Sequence, residues 1–442
     1  MNHRANSPTP APPLPLSSKA RRTREQPISF LIETALHNPG LINLAAGLVD
    51  PLTLPVEECA QITQRLFADP HRARTALQYD TTVGLRALRQ KLVEHIAALE
   101  GVAVADLGYG AEQIVVTTGS QQALYLVGDA LIDPGDIVIA ANPSYFVYTG
   151  TLQSLGANVL AVPMDEEGMD VEAVAALLDR LEREGKLPRV KLIYCTTYFD
   201  NPTGLSLSPP RRQRLLDIVR SYASRQRILI QEDAAYRELR YDGPAMRSIK
   251  SLEPENVHTL MSLTFSKPFA PGIKLGYTAM PDDLLHAVLQ QKGNHDFGSA
   301  NLAQHIALET LRDGSYQNHV EVLKQSYRAK RDAMLTALDR HMPGELGARW
   351  THPHGGLYVW LTLPEGFDTS REGELFRAAV AAGVLYVPGD YCFQPDDKGH
   401  VPKNHIRLSF GQVDPAKIEP GIERLAKVAG ELAKASLAAT RV

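Results

Sequence analysis

The chain has 442 residues and a formal net charge of −4, with 44% apolar and 22% charged residues, as expected for a soluble globular protein. This charge gives no electrostatic reason to expect nucleic acid or an anionic membrane as a partner, and no run approaches the ~18 apolar residues of a membrane span. The three cysteines, Cys59, Cys195 and Cys392, are far apart, so we expect no metal site and a reducing, cytoplasmic setting.

The first 26 residues differ in composition from the rest of the chain. They are rich in proline, serine and arginine and lack the apolar segment of a secretory signal. We predict that residues 1–26 form a disordered tail or a clasp on a partner subunit, and that residues 27–48 join a small domain. A transit peptide is an alternative, but proline breaks the amphipathic periodicity that it needs.

Between residues 49 and 310, short apolar runs rich in β-branched residues alternate with longer helical patterns. The runs typical of buried strands are QIVVTT (113–118), DIVIAA (136–141), VKLIYC (190–195), RILIQED (227–233) and HTLMSLTF (258–265). The alternation predicts a large α/β domain with a mostly parallel sheet between helices. In such sheets ligands bind beyond the carboxyl ends of the strands, so the residues that follow each run are candidates for a site.

The last part of the chain, residues 311–442, predicts a smaller α/β domain. A long helical pattern over about 302–342 would bridge the two domains. The elements predicted after it are a strand at 355–363, a helix at 371–382, strands at 384–388 and 405–410, and a final amphipathic helix.

Candidate site residues follow the first two predicted strands. Gly119, Ser120 and Gln121 open a helix, where free N–H groups and the helix dipole favour a phosphate, although ordinary helix capping explains the same residues. Tyr145 follows the second strand and can stack on a planar ring or simply pack its loop.

The next three strands are followed by polar groups that suit a pyridine cofactor. Asn201, in DNPTG, offers an amide donor, and the same motif also forms a good turn. Asp233 can hold a ring nitrogen protonated or cap a helix, and Tyr236 can reach the same ring. Lys267, in TFSK, would be costly beside a buried strand unless it is bonded or neutralised, as in a Schiff base. If each feature were only a helix cap, a turn or a packing residue, five separate coincidences would be needed at successive strand ends. We therefore interpret the five features as one site.

Taken together, these motifs resemble those of the fold type I pyridoxal 5'-phosphate (PLP) dependent aminotransferases, class I/II. Within them the sequence is most similar to the branch of 2-aminoadipate and kynurenine aminotransferases. The resemblance runs from LAAGLVDP (44–51) to RLSFGQVDP (407–415) and rests on NPTG, on ED followed by Tyr236, and on SK followed by PG and Gly276. It implies a mostly parallel seven-stranded sheet, PLP as cofactor, an amino acid and a 2-oxo acid as substrates, and a homodimer with shared active sites.

The resemblance also implies a role for each matching residue. Lys267 would carry PLP as a Schiff base and act as general acid and base. Asp233 would pair with the ring nitrogen, and Tyr145 would stack on the ring. Asn201 and Tyr236 would bond the ring oxygen. The residues implied for the phosphate are Gly119, Ser120, Gln121, Thr264, Ser266, Lys274 and, from the neighbouring subunit, Tyr79. The residues implied for the substrate are Gly47, Asn201 and Arg407, the last as a clamp on the α-carboxylate.

Two positions depart from the family pattern. Lys274 stands where arginine is common, which keeps the charge but not the planar pair of donors. Ile28 aligns near an arginine with which aminoadipate enzymes grip a side-chain carboxylate, and Arg24 is the nearest cation. This departure puts a dicarboxylate substrate in doubt.

The segment GNHDFGSANL (293–302) matches no family motif. Its polar residues His295, Asp296 and Asn301 either reach the active site of the partner or cap the helix that follows. The sequence leaves both interpretations open.

The predicted function is transfer of an amino group between an L-amino acid and a 2-oxo acid. A PLP-dependent lyase, cyclase or oxidase is the alternative among enzymes, since the fold does not dictate the chemistry. A ligand-sensing regulator is the alternative from another class. The N-terminal tail is too short and too rich in proline for the winged helix that such a regulator needs.

Overall fold

The computed structural model describes residues 14–440, with side chains described as far as residue 435. The helices are α1 (Ser18–Arg22), α2 (Pro27–His37), α3 (Val56–Ala68), α4 (Pro70–Leu77), α5 (Arg86–Glu100), α6 (Gly119–Leu131), α7 (Phe146–Leu155), α8 (Val171–Arg183), α9 (Pro209–Tyr222), α10 (Asp282–His295), α11 (Asn301–Asp313), α12 (Ser315–His341), α13 (Glu374–Ala381) and α14 (Pro415–Thr440). The strands are β1 (Ile42–Asn43), β2 (Ile114–Thr117), β3 (Ile137–Asn142), β4 (Asn158–Asp165), β5 (Gly168–Met169), β6 (Val190–Thr196), β7 (Leu229–Asp233), β8 (Thr259–Thr264), β9 (Gly276–Ala279), β10 (Arg349–Trp350), β11 (Tyr358–Thr362), β12 (Val384–Leu385), β13 (Val387–Pro388) and β14 (His405–Ser409). None of the helices in this part of the chain is both long and apolar enough to cross a membrane.

A mixed, mostly parallel sheet of eight strands forms the centre of the large domain, in the order β2-β9-β8-β7-β6-β3-β4-β5. Strands β4, β3, β6, β7 and β8 are parallel to one another. Because β9 is antiparallel to both β8 and β2, β2 points in the same direction as the parallel strands. The predicted mostly parallel α/β sheet is confirmed, and β5, a two-residue strand antiparallel to β4, brings the predicted seven strands to eight.

The central strands are buried on both faces, as their apolar runs indicate. In β3, Ile137 and Ile139 belong to a hydrophobic cluster with α8 and α9. Val138 and Ala140, which alternate with them, belong to a second cluster with α6, α7 and α10. Since neighbouring side chains of a strand point to opposite faces, helices cover both sides of the sheet.

The small domain is built on an antiparallel sheet in the order β10-β11-β14-β13. Beside it, β1 from the N-terminal segment pairs in parallel with β12, with Ile42 opposite Val384 and Asn43 opposite Leu385. Helix α2 also contacts this domain, because the Phe30 and Phe376 rings lie 6.2 Å apart. These contacts attach the N-terminal segment to the small domain.

The long helical pattern of residues 302–342 is divided in two in the structure. Helix α11 ends at Gly314, which has a φ of 80°, and α12 begins directly after it. A left-handed residue of this kind ends a helix, and glycine adopts it without steric cost.

Part of the predicted N-terminal tail forms α1, which lies against α7 of the same chain. Lys19 Nζ lies 3.3 Å from Asp129 Oδ1, and Arg22 donates to the carbonyl oxygens of Ser154 and Leu155 at 3.3 and 3.4 Å. Residues 1–13, the rest of that prediction, lie outside the described residues.

Candidate active site

A cavity of ≈ 500 Å³ lies at the carboxyl ends of β2, β3, β6, β7 and β8. Because these strands point in the same direction, the residues that follow them meet at one edge of the sheet. The sequence-predicted residues that line the cavity are Gly47, Gly119, Ser120, Gln121, Tyr145, Asn201, Asp233, Tyr236, Thr264, Ser266, Lys267, Lys274 and Arg407. Tyr79 does not line it.

Lys267 follows β8 and projects its amine into this cavity. Its Nζ donates to the carbonyl oxygen of Gly47 at 2.8 Å. Burial lowers the pKa of Lys267, and the nearby cations Arg407 and Lys274 act in the same direction. A larger fraction of the amine is therefore neutral, which is the nucleophilic form.

Asp233 ends β7 and is 5% exposed. Its Oδ2 accepts a hydrogen bond from the Tyr194 hydroxyl at 3.0 Å, and its Oδ1 accepts one from the backbone N–H of Ala235 at 3.2 Å. Burial nevertheless raises the pKa of Asp233 to about 6. A positive charge placed beside this carboxylate would relieve the cost of its burial.

Arg407, on β14, is held by groups from both domains and is 2% exposed. It donates from Nη1 to Asn201 Oδ1 at 2.8 Å and from Nη2 to the Ala45 carbonyl oxygen at 2.9 Å. Its guanidinium lies 4.4 Å from the centre of the Tyr358 ring. Among the described residues, its buried Nε has no hydrogen-bond partner. A buried guanidinium whose bonded partners are neutral is suited to an anion that supplies the counter-charge.

Tyr236 and Tyr358 form a hydroxyl pair in the wall of the cavity. Their oxygens lie 2.9 Å apart, and either hydroxyl can be the donor. Burial raises the pKa of Tyr236 well above its usual value, so the hydroxyl stays neutral and able to donate. A side chain at Gly47 would collide with the Tyr358 hydroxyl, which explains why the chain there is glycine.

The turn between β2 and α6 has the shape of an anion cradle. Gly119 has a φ of 70°, and any side chain at Gly276 would collide with the Ser120 amide nitrogen. The backbone of α6 is therefore exposed to the cavity at its N-terminus, where N–H groups and the helix dipole attract anions. Lys274, with a φ of 52°, and Ser266 complete the cradle from the other side. The Tyr145 hydroxyl donates to Gln121 Oε1 at 3.4 Å, which fixes its ring at the cavity wall.

The end of the cavity below α2 is apolar. Ile28, Leu31 and Ile32 line it, so Ile28 lies at the site as the sequence comparison with the family suggested. Arg24 lines a separate cavity with Arg21.

Tyr79 lies on the surface of the subunit and is 79% exposed. Its ring packs edge-on against Phe297, with centres 5.5 Å apart, and Phe297 is itself 58% exposed. Such an exposed aromatic pair is available for contact with another molecule.

The unassigned segment 293–302 lies behind the anion cradle rather than in the cavity of its own chain. Asn301 begins α11, whose N-terminus has no side-chain cap. Instead, Asn301 Nδ2 donates to the carbonyl oxygens of Thr75 and Gln78 at 2.8 and 3.0 Å. The segment 293–302 therefore lies between α10 and the loop that carries Tyr79.

Two residues of the site escaped the sequence analysis, and both lie inside strands. Tyr194, in β6, holds Asp233, and Tyr358, in β11, touches Tyr236 and Arg407. Within VKLIYC and GGLYVWLTL their pattern is that of ordinary buried strand positions, so the sequence carried no signal for them.

A family model described as aminotransferase class I and II matches residues 39–425. The chain is 37% identical over 416 residues to aromatic-amino-acid aminotransferase 1 of Thermococcus litoralis, which covers 94% of this chain and 93% of that protein. It is similar to the structure of a kynurenine aminotransferase from Pyrococcus horikoshii in complex with PMP, with 33% identity, a TM-score of 0.86 and coverage of 94% and 97%. It is also similar to the α-aminoadipate aminotransferase of Thermus thermophilus complexed with N-(5'-phosphopyridoxyl)-L-leucine, with 33% identity, a TM-score of 0.81 and coverage of 95% and 98%.

Proposed function

The chain belongs to the class I and II aminotransferases, and from this premise we propose that it binds PLP at Lys267 and acts on amino acids with apolar side chains. The family, the fold and the aminotransferase activity predicted from the sequence are confirmed. The observation that carries the proposal is the cavity in which the Lys267 amine, the Asp233 carboxylate, the anion cradle and the Arg407 guanidinium meet.

The residues present fit PLP at both of its charged ends. The cradle at the start of α6, where Gly119, Ser120 and Gln121 line the cavity, suits the phosphate dianion. Asp233 suits the ring nitrogen, because a protonated pyridine would supply the positive charge that this buried carboxylate lacks. When bound, PLP supplies an aldehyde that exchanges amino groups and a ring that accepts electrons.

Lys267 would hold the cofactor covalently and then move the proton. Its lowered pKa increases the neutral fraction of the amine, and a neutral Nζ can both attack a carbonyl carbon and accept a proton. The contact with the Gly47 carbonyl keeps the amine inside the cavity. One atom, Nζ, thus serves as nucleophile and as general base.

Tyr236 and Asn201 would orient the ring through its oxygen. The Tyr236 hydroxyl is neutral and can donate. Asn201 Oδ1 already accepts from Arg407, so its amide nitrogen is the atom that remains to donate to the ring oxygen. Asn201 therefore joins the cofactor end of the cavity to the substrate end.

Arg407 would bind the α-carboxylate of the substrate, and α2 would contact its side chain. Among the residues that the structure describes, the cations that line the cavity are Lys267, Lys274 and Arg407, each of which has a use at the cofactor or the α-carboxylate. A second carboxylate would lose its hydration against Ile28, Leu31 and Ile32 without a cation to receive it. An apolar or aromatic donor fits better, and a relative named for aromatic amino acids supports this choice.

A homodimer is the assembly that we propose. The exposed large apolar side chains are concentrated in residues 32–79, where Leu52 is 89% and Val56 is 71% exposed. Burial of this surface against a second copy would remove an unfavourable exposure. Tyr79 would then reach the active site of the partner.

The test is the half-reaction with an amino acid alone. Purified protein loaded with PLP is mixed with one L-amino acid and no 2-oxo acid, while the absorbance of the bound cofactor is followed. We expect leucine, phenylalanine and tyrosine to convert the cofactor to its amine form faster than 2-aminoadipate does. Lys267→Ala should show no conversion, and Lys398→Ala, at an exposed lysine, should behave as the wild type. Ammonia or carbon dioxide release without conversion would instead indicate a lyase.

A further inference from the structure

An ion pair between a buried lysine and a partly buried aspartate lies directly behind the anion cradle. Lys292, near the end of α10, is 0% exposed, and its Nζ lies 2.8 and 3.0 Å from the two carboxylate oxygens of Asp296. Although burial acts against it, hydrogen bonds from Lys292 and Gln122 hold the pKa of Asp296 below its usual value, so the carboxylate is charged. The desolvation cost of burying Lys292 offsets much of the attraction within the pair, so net stabilisation alone does not account for it.

Gln122, on the first turn of α6, connects this pair to the cradle. Its Nε2 donates to Asp296 Oδ2 at 2.5 Å, and its Oε1 accepts from Lys292 Nζ at 3.3 Å. The same Oε1 accepts from the backbone N–H of Thr118 at 2.8 Å. The Thr118 side chain caps no N–H of α6. Its hydroxyl donates to Asp296 Oδ2 at 3.5 Å, so both Gln122 and Asp296 hold this turn.

The direction of the cradle depends on that contact. The Thr118 N–H points to Gln122, so the N–H groups left for an anion begin at Gly119. If Thr118 rotated, Gly119 and the groups after it would turn with it, because a short turn has few independent dihedral angles.

A second anchor prevents Lys292 from moving with the turn. Its Nζ lies 3.2 Å from Ser299 Oγ, which donates to the carbonyl oxygen of Val116 at 3.2 Å. Val116 belongs to β2, in the rigid sheet. The ion pair is thus fixed to the sheet on one side and to the turn on the other.

The same segment continues to Tyr79. The carbonyl oxygen of Phe297 accepts from the Thr82 hydroxyl at 2.8 Å, and the Phe297 ring packs on Tyr79. Residues 292–301 therefore support the cradle of their own subunit and the loop that we assign to the site of the partner.

We propose that Gln122, Lys292 and Asp296 are positioning residues that brace the phosphate-binding turn and thereby set the affinity for the phosphate group of the cofactor without touching it. We name these three residues the brace. The inference deepens the proposed function, because it rests on PLP binding in this cavity. It assigns a role to the segment 293–302, which neither caps α11 nor lines the cavity of its own subunit.

The test compares PLP with pyridoxal, which lacks the phosphate, on the apoprotein. Gln122→Met keeps the length of the side chain and the ion pair but removes the acceptor for Thr118. We expect its dissociation constant for PLP to rise about tenfold while that for pyridoxal stays within about twofold of the wild type. Gln290→Met, the same exchange at an exposed position of α10, is the matched control and should change neither.

A second variant covers the case in which Gln122→Met folds poorly. The double variant Lys292→Met, Asp296→Met removes both charges together and so leaves no buried charge unpaired. It should show the same selective loss for PLP, and inorganic phosphate should raise the Tm of the wild-type apoprotein more than that of either variant. A parallel loss for PLP and pyridoxal, or an unchanged ratio between them, would overturn the brace. If the wild type binds neither ligand, the proposed function fails and the brace fails with it.

Discussion

Arg407 shows how a single side chain links the two halves of the site, since it donates both to Asn201 and to the N-terminal segment at Ala45. We expect Arg407→Ala to raise KM strongly while the PLP content stays near that of the wild type. Loss of a bidentate, charge-assisted contact should cost about 2–4 kcal/mol in kcat/KM. Arg407→Lys keeps the charge without the planar guanidinium, so its kcat/KM should lie between those of the wild type and Arg407→Ala. Steady-state kinetics with phenylalanine measures the effect, and an unchanged kcat/KM would place the carboxylate elsewhere.

In the absence of cofactor, Asp233 makes the free energy of unfolding depend on pH. Its pKa is raised to about 6, whereas an aspartate in an unfolded chain titrates near ~3.9. The folded chain therefore retains a proton that the unfolded chain has lost, and stability from this group decreases as the pH rises from ~4 through ~6.

The matching variant is Asp233→Asn, which cannot ionise and keeps one acceptor oxygen in place of the two that Tyr194 and Ala235 use in the wild type. The stability of its apoprotein relative to that of the wild type should increase by about 2–3 kcal/mol between pH 4 and pH 8. Urea unfolding of both apoproteins at the two pH values measures the difference. The same difference at both pH values would show that Asp233 is not the titrating group.

Polar residues that follow apolar runs could be predicted from the sequence, Arg407 was found only through the family resemblance, and two aromatic residues within strands were missed. Lys267 and Asp233 each follow an apolar run, where a polar residue needs an explanation. Tyr358 and Tyr194 occupy positions where an aromatic residue is expected in any core. The pair Lys292 and Asp296, four residues apart, has the spacing of an ordinary surface pair on a helix. Only the tertiary structure shows that this pair lies against the cradle with its lysine buried.

At the scale of elements, the sequence predicted the buried parallel strands β3, β6, β7 and β8 and missed several other strands, among them β4 and β9. Strands β6, β7 and β8 are rich in apolar residues and almost entirely buried, because helices cover both faces of the sheet. Strand β4 is mostly only partly buried and contains Pro163, and β9 has only four residues. Pro163 interrupts the strand pattern of β4, and β9 is short and contains few apolar residues, so neither is marked as a strand in a single sequence.

Strand β9 packs on α6 so closely that its first residue controls the cradle. We expect Gly276→Ala to weaken PLP binding at least about tenfold and to destabilise the fold by about 1–3 kcal/mol, because the new methyl group would displace the start of α6. Gly272→Ala is the control, since no atom lies within 4 Å of its added Cβ. Equilibrium dialysis with PLP and thermal unfolding measure the two effects. If the two variants had the same PLP affinity and the same thermal stability, α6 would be able to shift without loss of either.

For the whole molecule, we expect a homodimer whose interface includes α3 and the loop before it. Leu52→Asp and Val56→Asp place charges on the exposed apolar surface and should shift the protein toward monomers. Val322→Asp, on an exposed apolar residue of α12, is the control. Light scattering gives the mass, and activity is measured on the same fractions. A wild-type monomer with full activity would contradict the shared active site.

The shallow seating of α2 over the cavity has a consequence for the rate at which substrate enters. Leu31 is the single buried residue of this helix, and Ile28 and Ile32 reach into the cavity, where a substrate side chain would complete their packing. Helices held by so little apolar contact open at low free energy, so amide hydrogens of α2 should exchange with deuterium faster than those of α6. An apolar substrate analogue should slow exchange in α2 and leave that of α12 unchanged, as mass spectrometry of the labelled peptides would show. Turnover would then be limited by how often this helix opens. An apolar side chain that packs beneath the helix would bind more tightly, and for the same reason the product would leave more slowly.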